Sequence, residues 1–388
     1  MIMMNDRLRP LAIQQYIKLA RQQGVISFAA GLPDLSVLPL EQLKAAYGQL
    51  ATEADAAFQY RPPIEGLKQK IQSMMTQLSV SCSLDEILIT GGAQQGIALT
   101  ANLWFEQRAS LMIEEFVYPG FLHVSNYYDM NYITIPSIFN QGIDLNALEQ
   151  VIKTQKIIPY LYVVCNGNNP QSYTWDPEKR QSLAKLADKY NFIVVEDDPY
   201  GYLNYSDESF LPIRAYTKNA IYISSFSKII APAVRVGWMV GEPDIIEKFE
   251  HLKDGDDLYL SNPNQLAVNH LLEQNSLEEI VKPQLVLYRN KMDCMITALA
   301  KFLKIPYNIV LPKHGMFLWL EFPDVSIENN KEFLFETSKV LFIPGSAFSI
   351  ANTIQKQALR LNFTYPSHEK IIEGIQRLAN VLNRLTYT

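Results

Sequence analysis

Apolar runs of strand length alternate with stretches of helical periodicity through the middle of the chain. Gln94 to Phe105 and Pro177 to Tyr190 carry apolar residues at helical spacing. The apolar runs around them are Glu86 to Thr90, Ser110 to Ile113, Tyr160 to Cys165, Phe192 to Glu196 and Ile221 to Ser224. Because strands that alternate with helices form parallel sheets covered by helices, the pattern predicts an α/β fold with a mostly parallel sheet.

Two helix starts are marked by acidic residues. Asp176 can cap a helix whose first turn holds Pro177, and Asp144 can cap a helix with its apolar positions in 145–152. A short acidic side chain at this position accepts a hydrogen bond from the free backbone N–H groups of the first turn. We therefore expect a helix to begin directly after each of these residues.

The pattern changes beyond about residue 285. A long helix is followed by short strands and a terminal helix, whose apolar face holds Ile371, Ile375, Leu378 and Leu382. The strands are expected at Met316 to Glu321, Val340 to Ile343 and Leu359 to Phe363. A chain of 388 residues is too long for one compact core. We expect an N-terminal segment (1–45) that packs with the small domain, a large domain (46–284) and a small α+β domain (285–388).

Composition places the chain among globular proteins without a membrane span. Hydrophobic residues make up 48% and charged residues 19%. The longest apolar candidate, Ile157 to Cys165, is far shorter than the roughly 20 residues of a membrane helix. The N-terminus lacks the apolar core and small-residue cleavage site of a secretory signal. Cys82, Cys165 and Cys294 follow no disulfide or metal spacing, which indicates a reducing compartment, the cytoplasm.

Charge and histidine spacing exclude two classes of function. The net charge is −6 and the basic residues are scattered, so we expect no nucleic-acid partner. The five histidines never fall at a metal-ligand spacing such as His-x-x-x-His, so we expect no metal site.

The segment Ser225-Phe226-Ser227-Lys228, with Arg235 seven residues further on, carries the first chemical signal. A lysine forms a Schiff base with a carbonyl only as the neutral amine, so it needs a site that lowers its pKa. Two serine hydroxyls and an arginine beside it suit a phosphate group. Together these features predict pyridoxal phosphate, although a Ser-x-Ser-Lys that stood alone would more often be a polar loop.

Further candidates follow the strands, where functional groups collect in an open parallel sheet. Asp197 comes directly after the run that ends at Glu196, and a carboxylate there can keep a pyridine nitrogen protonated. Gly91-Gly92-Ala93-Gln94-Gln95-Gly96 leads from a strand into a helix, which suits an anion. An Asp-Pro surface turn and an ordinary glycine turn are the alternative interpretations.

Three more side chains suit this cofactor and an amino-acid substrate. Asn169 can donate a hydrogen bond to the cofactor's phenolic oxygen, and Tyr118 offers a flat ring for stacking. Arg360 stands in an apolar strand, where a buried guanidinium needs an anion such as a substrate carboxylate. Taken singly, these residues also fit an Asn-Pro turn, a core or rim tyrosine and a structural salt bridge.

The order and spacing of these residues resemble the fold-type I pyridoxal-phosphate aminotransferases of class I and II. Tyr200 follows Asp197 by three residues, Lys228 follows Asp197 by 31, and Arg235 follows Lys228 by seven. Within this family the chain is most similar to the 2-aminoadipate, kynurenine and aromatic or branched-chain aminotransferases, and to the C-terminal part of MocR-type regulators. The resemblance covers nearly all of the chain and implies a seven-stranded, mostly parallel sheet of the aspartate aminotransferase type.

The resemblance implies a role for each residue at the cofactor. Lys228 forms the Schiff base and moves the proton between the substrate's α-carbon and the cofactor. Asp197 pairs with the ring nitrogen, and Tyr118 stacks on the ring. Tyr200 and Asn169 donate to the phenolic oxygen. The phosphate is held by Gly92, Ala93, Gln94, Ser225, Ser227 and Arg235.

The same resemblance implies a substrate clamp and a dimer. Arg360 binds the α-carboxylate of the amino acid, with Gly31 and Asn169 alongside. Tyr60 resembles the tyrosine that this family lends to the phosphate of the neighbouring subunit, which implies a homodimer.

Three residues, in two turns, depart from the family pattern. The usual Asn-Pro-Thr-Gly is here Asn169-Pro170-Gln171-Ser172, and Ala93 stands where serine is commoner. The asparagine is retained, so we expect its cofactor contact to remain. Losing one hydroxyl among several donors should weaken cofactor binding by about 1 kcal/mol.

The sequence thus predicts a pyridoxal-phosphate-dependent aminotransferase that transfers an amino group from an amino acid to a 2-oxo acid such as 2-oxoglutarate, by a ping-pong reaction. A C–S β-lyase or decarboxylase on the same fold is the nearest alternative, and a MocR-like regulator that senses the cofactor is another. Aromatic, branched-chain or 2-aminoadipate-like donors are implied by the resemblance alone. The donor is chosen by side chains of the N-terminal segment, the other subunit and Asp256 to Asn264, and no motif fixes these.

Overall fold

The computed structural model describes residues 18–52, 55–106, 110–128, 130–154, 160–349 and 357–385. Within these ranges the strands are, in chain order, β1 (Ile26–Ser27), β2 (Ile87–Thr90), β3 (Leu111–Glu114), β4 (Tyr132–Ile135), β5 (Ser137–Ile138), β6 (Gly142–Ile143), β7 (Tyr160–Val163), β8 (Val194–Asp197), β9 (Ala220–Ser225), β10 (Gly237–Val240), β11 (Asn308–Val310), β12 (Phe317–Glu321), β13 (Val340–Leu341), β14 (Ile343–Pro344) and β15 (Ala358–Asn362).

The helices alternate with the strands in the first two thirds of the chain. They are α1 (Leu40–Leu50), α2 (Glu65–Gln77), α3 (Ala93–Glu106), α4 (Pro119–Tyr127), α5 (Leu145–Thr154), α6 (Pro177–Tyr190), α7 (Pro243–Asp257), α8 (Asn262–Gln274), α9 (Leu277–Phe302), α10 (Ile327–Ser338) and α11 (His368–Leu382).

The central sheet positions the candidate site. Among the described residues it has seven strands in the order β2-β10-β9-β8-β7-β3-β4, and β10 alone runs antiparallel to its neighbours. The predicted α/β fold with a mostly parallel, seven-stranded sheet is therefore confirmed. Because the other strands are parallel, their carboxyl ends lie at one common edge.

Helices bury both faces of this sheet. Met112 and Leu161 pack with α5 and α6, whereas Ile113 and Tyr162 pack with α3 and α7. Neighbouring residues of one strand point to opposite faces, and here both faces are apolar. This explains why the central strands appear in the sequence as continuous apolar runs.

The C-terminal part forms a separate α+β layer, as predicted. An antiparallel sheet in the order β11-β12-β15-β14 packs against α9 and α11. Leu299 of α9 and Ile375 of α11 contact this sheet in one hydrophobic cluster. The division into 1–45, 46–284 and 285–388 remains a prediction, and its second boundary falls inside α9.

Two local predictions differ from the structure. The single strand expected at Val340 to Ile343 is wrong, because β13 pairs with β1 while β14 pairs with β15 in the other sheet. All the residues of this run are buried, so periodicity gave no sign of the change of sheet. Asp176 occupies the capping position before Pro177 but makes no capping hydrogen bond. Asp144 does cap its helix, since Oδ1 accepts from the backbone N–H of Asn146 at 2.8 Å.

Three further features of the described ranges concern membrane-spanning helices, metal-binding groups and disulfide bonds. No helix in them is long and apolar enough to cross a membrane. No group of histidine, cysteine and carboxylate side chains in the same ranges is arranged to hold a metal ion. Cys82, Cys165 and Cys294 are free thiols.

Candidate active site

A cavity of about 370 Å³ lies at the carboxyl edge of the central sheet. Most of the residues singled out in the sequence line it: Gly31, Ala93, Gln94, Tyr118, Asn169, Asp197, Tyr200, Ser225, Ser227, Lys228, Arg235 and Arg360. They are spread over 330 positions of the chain. Those of the central sheet meet because its parallel strands end at the same edge, whereas Gly31 and Arg360 reach the cavity from the N-terminal segment and the C-terminal sheet. The fold therefore brings the candidate residues into one concave site.

Lys228 follows β9 in a short 3-10 turn, Phe226–Lys228. Ser225 begins this turn, and its hydroxyl accepts from the backbone N–H of Ser227. The Nζ atom of Lys228 donates to the carbonyl oxygen of Gly31 at 2.9 Å. Burial, and then the positive charges of Arg360 and Arg235, lower the pKa of Lys228 to about 8. The amine is therefore partly neutral near neutral pH, as Schiff-base chemistry requires.

Asp197 ends β8 and is 3% exposed. Its Oδ2 accepts a hydrogen bond of 2.6 Å from the hydroxyl of Tyr162. Its Oδ1 is buried and has no hydrogen-bond partner among the described residues. Burial raises the pKa of this carboxyl to about 7, although the Tyr162 hydrogen bond opposes the shift. A buried carboxylate oxygen without a donor is costly, so this atom is suited to a ligand that brings an N–H group.

Arg360, in β15, reaches the cavity from the C-terminal sheet. Its Nη1 donates to Oδ1 of Asn169 at 2.5 Å, and its Nη2 donates to the carbonyl oxygen of Ala29 at 2.6 Å. The guanidinium carbon lies 3.9 Å from the ring centroid of Phe317 and 4.9 Å from that of Phe348. No carboxylate of the described residues forms an ion pair with it. The structural salt bridge that was the alternative interpretation is therefore absent from these ranges.

Asn169 links Arg360 to Tyr200. While its Oδ1 accepts from Arg360, its Nδ2 lies 3.4 Å from the hydroxyl of Tyr200. Tyr200 is buried, and its ring stands edge-on to that of Phe317 at 6.2 Å. Polar atoms of the two lobes are thus connected across the cavity.

A cluster of donors occupies the side of the cavity near β2. The hydroxyls of Ser225 and Ser227 lie 2.8 Å apart, and Nη1 of Arg235 donates to Ser227 Oγ at 3.2 Å. Nη2 of Arg235 donates to the carbonyl oxygen of Gly91 at 2.6 Å. Gly92 has a φ of +91°, and a Cβ atom there would lie 2.5 Å from Arg235 Nη2. Only glycine allows this backbone and this approach of the guanidinium.

Ala93 and Gln94 begin α3 beside this cluster. The free N–H groups at a helix start favour an anion. Gln94 Nε2 donates to the carbonyl oxygen of Gly120 at 2.9 Å. This bond uses the side-chain nitrogen of Gln94, and its side-chain oxygen is left for other contacts. With the serine and arginine donors, this helix start gives the cavity an anion-binding end.

Tyr118 and Tyr60 differ in their surroundings. Tyr118 precedes α4, lines the cavity and has its pKa raised by burial. Tyr60 does not line the cavity of its own chain; its side chain is 72% exposed and its ring lies 6.1 Å from that of Tyr259. The structure therefore leaves Tyr60 open to contact from outside the chain.

The turn that carries the sequence departures is closed by its own hydrogen bonds. The Asn169–Pro170 peptide is cis, and Ser172 has a φ of +68°. Asn168 accepts from the backbone N–H of Gln171 at 3.1 Å through Oδ1, and from that of Ser172 at 2.6 Å through its carbonyl oxygen. These contacts place Asn169 in the cavity despite the replaced residues.

The residues of the site that were not identified from the sequence include two aromatic side chains that contact its polar groups. Tyr162 lies within the apolar run of β7, and Phe317 begins β12. Phe317 also explains Gly31, because a Cβ atom at Gly31 would lie 2.7 Å from the Phe317 ring. Both aromatic residues read as core positions in the sequence, and no local signal distinguishes them.

The sequence profile described as Aminotransferase class I and II matches residues 23–378. Aromatic-amino-acid aminotransferase 1 of Thermococcus litoralis is 32% identical over 381 residues, which cover 95% of this chain and 91% of that protein.

Solved structures give the same result. The kynurenine aminotransferase of Pyrococcus horikoshii, in complex with PMP, KYN as substrates and KYA as products, superposes with a TM-score of 0.91 at 31% identity, covering 98% and 97% of the two chains. The α-aminoadipate aminotransferase LysN of Thermus thermophilus, complexed with N-(5'-phosphopyridoxyl)-L-leucine, has a TM-score of 0.88 at 28% identity, covering 98% and 96%.

Proposed function

The chain belongs to the class I and II aminotransferases, and we propose that it transfers the amino group of an L-amino acid to a 2-oxo acid such as 2-oxoglutarate in a ping-pong reaction. Its cofactor is pyridoxal phosphate. The predicted enzyme class and fold type are confirmed. The lyase, decarboxylase and regulator alternatives are not favoured by these relatives.

The described residues fit this cofactor. When bound, pyridoxal phosphate supplies an aldehyde that takes up an amino group and a ring that withdraws electrons from the substrate's α-carbon. The unpartnered Oδ1 of Asp197 would accept the ring N–H, and Tyr118, which lines the same cavity, would stack on the ring. Ser225, Ser227 and Arg235, with the backbone of Gly92 to Gln94, would hold the phosphate. The observation that carries the proposal is a partly buried lysine of lowered pKa in the same cavity as this free carboxylate oxygen.

Lys228 has the role of proton acceptor, and the polar residues beside it, Tyr200 and Asn169, have the role of hydrogen-bond donors. With the cofactor bound, Lys228 Nζ would be the base that accepts the proton of the substrate's α-carbon and holds it within the cavity. Tyr200 and Asn169, which line the same cavity, would donate hydrogen bonds to the cofactor's phenolic oxygen. Their mutual contact of 3.4 Å places both groups on the same side of the cavity.

Arg360 binds the substrate's α-carboxylate. Among the described residues it has no acidic partner, and its buried Nε donates to none of them. A carboxylate would therefore satisfy both its charge and its free N–H. Gly31 and Asn169 complete this end of the site. Because Arg360 holds the carboxylate in place, it favours transfer of the amino group over decarboxylation.

Aromatic, branched-chain or 2-aminoadipate-like donors are the proposed substrates. Two observations support this choice: relatives that carry the names of aromatic and 2-aminoadipate aminotransferases, and the apolar side chains of Leu32 and Phe317 in the cavity. Side chains of this kind accept an apolar substrate group and exclude water from it.

We propose a cytoplasmic homodimer as the working unit. The exposed ring of Tyr60, which does not line the cavity of its own chain, supports this proposal, and it would reach the phosphate of a second subunit. The free thiols of Cys82, Cys165 and Cys294 fit a reducing compartment.

An absorption spectrum of the purified protein tests the function. Reconstituted enzyme should show a visible band that disappears with an amino acid and returns with 2-oxoglutarate. A protein that released pyruvate and ammonia instead would be a lyase, and one that took up no pyridoxal phosphate would contradict the assignment.

A further inference from the structure

The two carboxylate oxygens of Asp197 have different surroundings. Oδ2 accepts the hydroxyl of Tyr162 at 2.6 Å, from the neighbouring parallel strand β7. Oδ1 has no partner among the described residues, and Asp197 lines the cavity. Tyr162 and Asp197 are 2% and 3% exposed, so water does not substitute for this contact. One oxygen is occupied by Tyr162 and the other is free for a ligand.

Tyr162 is itself held in place. Its ring stacks on Phe121 of α4, with centroids 3.8 Å apart and planes inclined by 19°. Burial and the nearby charge of Asp197 raise the pKa of Tyr162 well above its ordinary value. The phenol therefore stays protonated and acts as a fixed donor.

We propose that Tyr162 is a positioning residue for the cofactor: its hydrogen bond orients Asp197, leaves Oδ1 for the pyridine N–H and favours the ionised carboxylate that keeps the ring nitrogen protonated. The inference rests on the proposed function and deepens it.

The charges around Asp197 explain why this donor matters. Burial and the neighbouring Asp198 both oppose ionisation of Asp197, while the Tyr162 hydrogen bond and the charge of Lys228 favour it. The hydrogen bond is the larger of these two favourable influences. Tyr118 and Tyr200, which also face the carboxylate, are neutral phenols of raised pKa. Without Tyr162, Asp197 would have a greater affinity for the proton it shares with the ring.

Asp198, the residue after Asp197, belongs to a similar tyrosine–aspartate pair that provides a matched control. Tyr222, in β9, donates to Oδ2 of Asp198 at 3.0 Å, and both side chains are buried. Asp198 is not among the described residues that line the cavity. Tyr222→Phe thus removes the same atom from a similar buried pair that does not line the cavity.

The experiment compares the wild-type holoenzyme with Tyr162→Phe and Tyr222→Phe, each loaded with pyridoxal phosphate labelled with nitrogen-15 in the ring. In Tyr162→Phe the ring-nitrogen chemical shift should move toward that of a neutral pyridine. The dissociation constant of the cofactor should rise about tenfold, the effect of one lost hydrogen bond to a charged group. Tyr222→Phe should match the wild type in both measurements.

Incorporation of fluorotyrosine at position 162 provides a second test that preserves the packing. A fluorinated phenol is a stronger donor, so the ring-nitrogen signal should move in the opposite direction, toward the protonated form. Equal shifts in Tyr162→Phe and Tyr222→Phe, or no shift with either change at position 162, would overturn the proposal. A wild-type protein that bound no cofactor would instead contradict the proposed function.

Discussion

The Nζ atom of Lys228 lies 2.9 Å from the carbonyl oxygen of Gly31, which precedes it by 197 residues. The segment that holds Gly31 is fixed to the C-terminal part of the chain, because Oδ2 of Asp34 lies 2.5 Å from Nζ of Lys291 in α9. The acceptor of the free lysine therefore belongs to the N-terminal segment and not to the central sheet. The amine must leave this acceptor to reach a cofactor or substrate.

Capture of pyridoxal phosphate by the apoenzyme should accelerate as the pH rises through about 8 and then level off. Burial and the charges of Arg360 and Arg235 lower the pKa of Lys228 to about 8, and only the neutral amine reacts. Stopped-flow absorbance measures this rate. Arg360→Gln removes one of the two cations and should move the midpoint to higher pH. A rate that kept rising toward pH 10 would mean that Lys228 has an ordinary pKa.

Lys228→Met should abolish amino transfer and stabilise the apoenzyme at pH 7. The pKa of Lys228 is about 8 in the fold and 10.5 without it, so the free-energy penalty for this lysine is complete below about pH 8 and declines as the pH rises to 10.5. The variant should gain up to about 3 kcal/mol in free energy of unfolding at pH 7, and this gain should vanish above about pH 10. Urea unfolding at both pH values tests the difference. A variant that was less stable than the wild type at pH 7 would show that protonated Lys228 does not oppose folding.

Arg360→Lys should raise the KM for amino-acid donors by roughly 10- to 100-fold, because an ammonium group cannot form the two parallel hydrogen bonds of a guanidinium. A donor amine that lacks the α-carboxylate serves as the control substrate. Its rate should change little in the variant, since it has no carboxylate to accept the two parallel hydrogen bonds of the guanidinium. Equal losses for both substrates would place Arg360 in the general structure of the site and not at the carboxylate.

The sequence allowed the central sheet and most of the cavity to be predicted for one reason: apolar runs mark buried strands, and polar residues at their ends stand out. Asp197 and Asn169 were found in this way. Tyr162 was not, because a tyrosine inside the run Tyr160–Val163 reads as a core residue, and its hydroxyl contact depends on the neighbouring strand. The change of sheet after β13 was missed for a similar reason, since the whole run is buried.

Ser172→Gly should raise the free energy of unfolding by about 1 kcal/mol, because Ser172 has a φ of +68°, a conformation that disfavours residues with a Cβ atom. Ser172→Ala keeps the Cβ atom and serves as the matched control, with no gain expected. Urea unfolding of the apoenzyme measures both. If the two variants changed stability equally, the lost hydroxyl and not the backbone conformation would be responsible.

Glu114→Gln should change how stability depends on pH. Glu114 ends β3 with its side chain buried, accepts from the hydroxyl of Tyr173, and lies 3.3 Å from Nδ2 of Asn168 in the turn before Asn169. Burial raises its pKa to about 7 from 4.5. A carboxyl whose folded pKa is raised contributes its full stability below the unfolded pKa and loses it as the pH rises through the folded pKa.

The wild type should therefore lose up to about 3 kcal/mol relative to Glu114→Gln between pH 4.5 and pH 8. Tyr173→Phe provides the opposite change, because it removes a donor that favours the ionised form and should steepen the loss with rising pH. Urea unfolding of the apoenzyme across this range measures all three proteins. Parallel curves for the wild type and Glu114→Gln would show that Glu114 ionises at its ordinary pH, and the buried carboxyl would then need a donor for Oε1, which has none among the described residues.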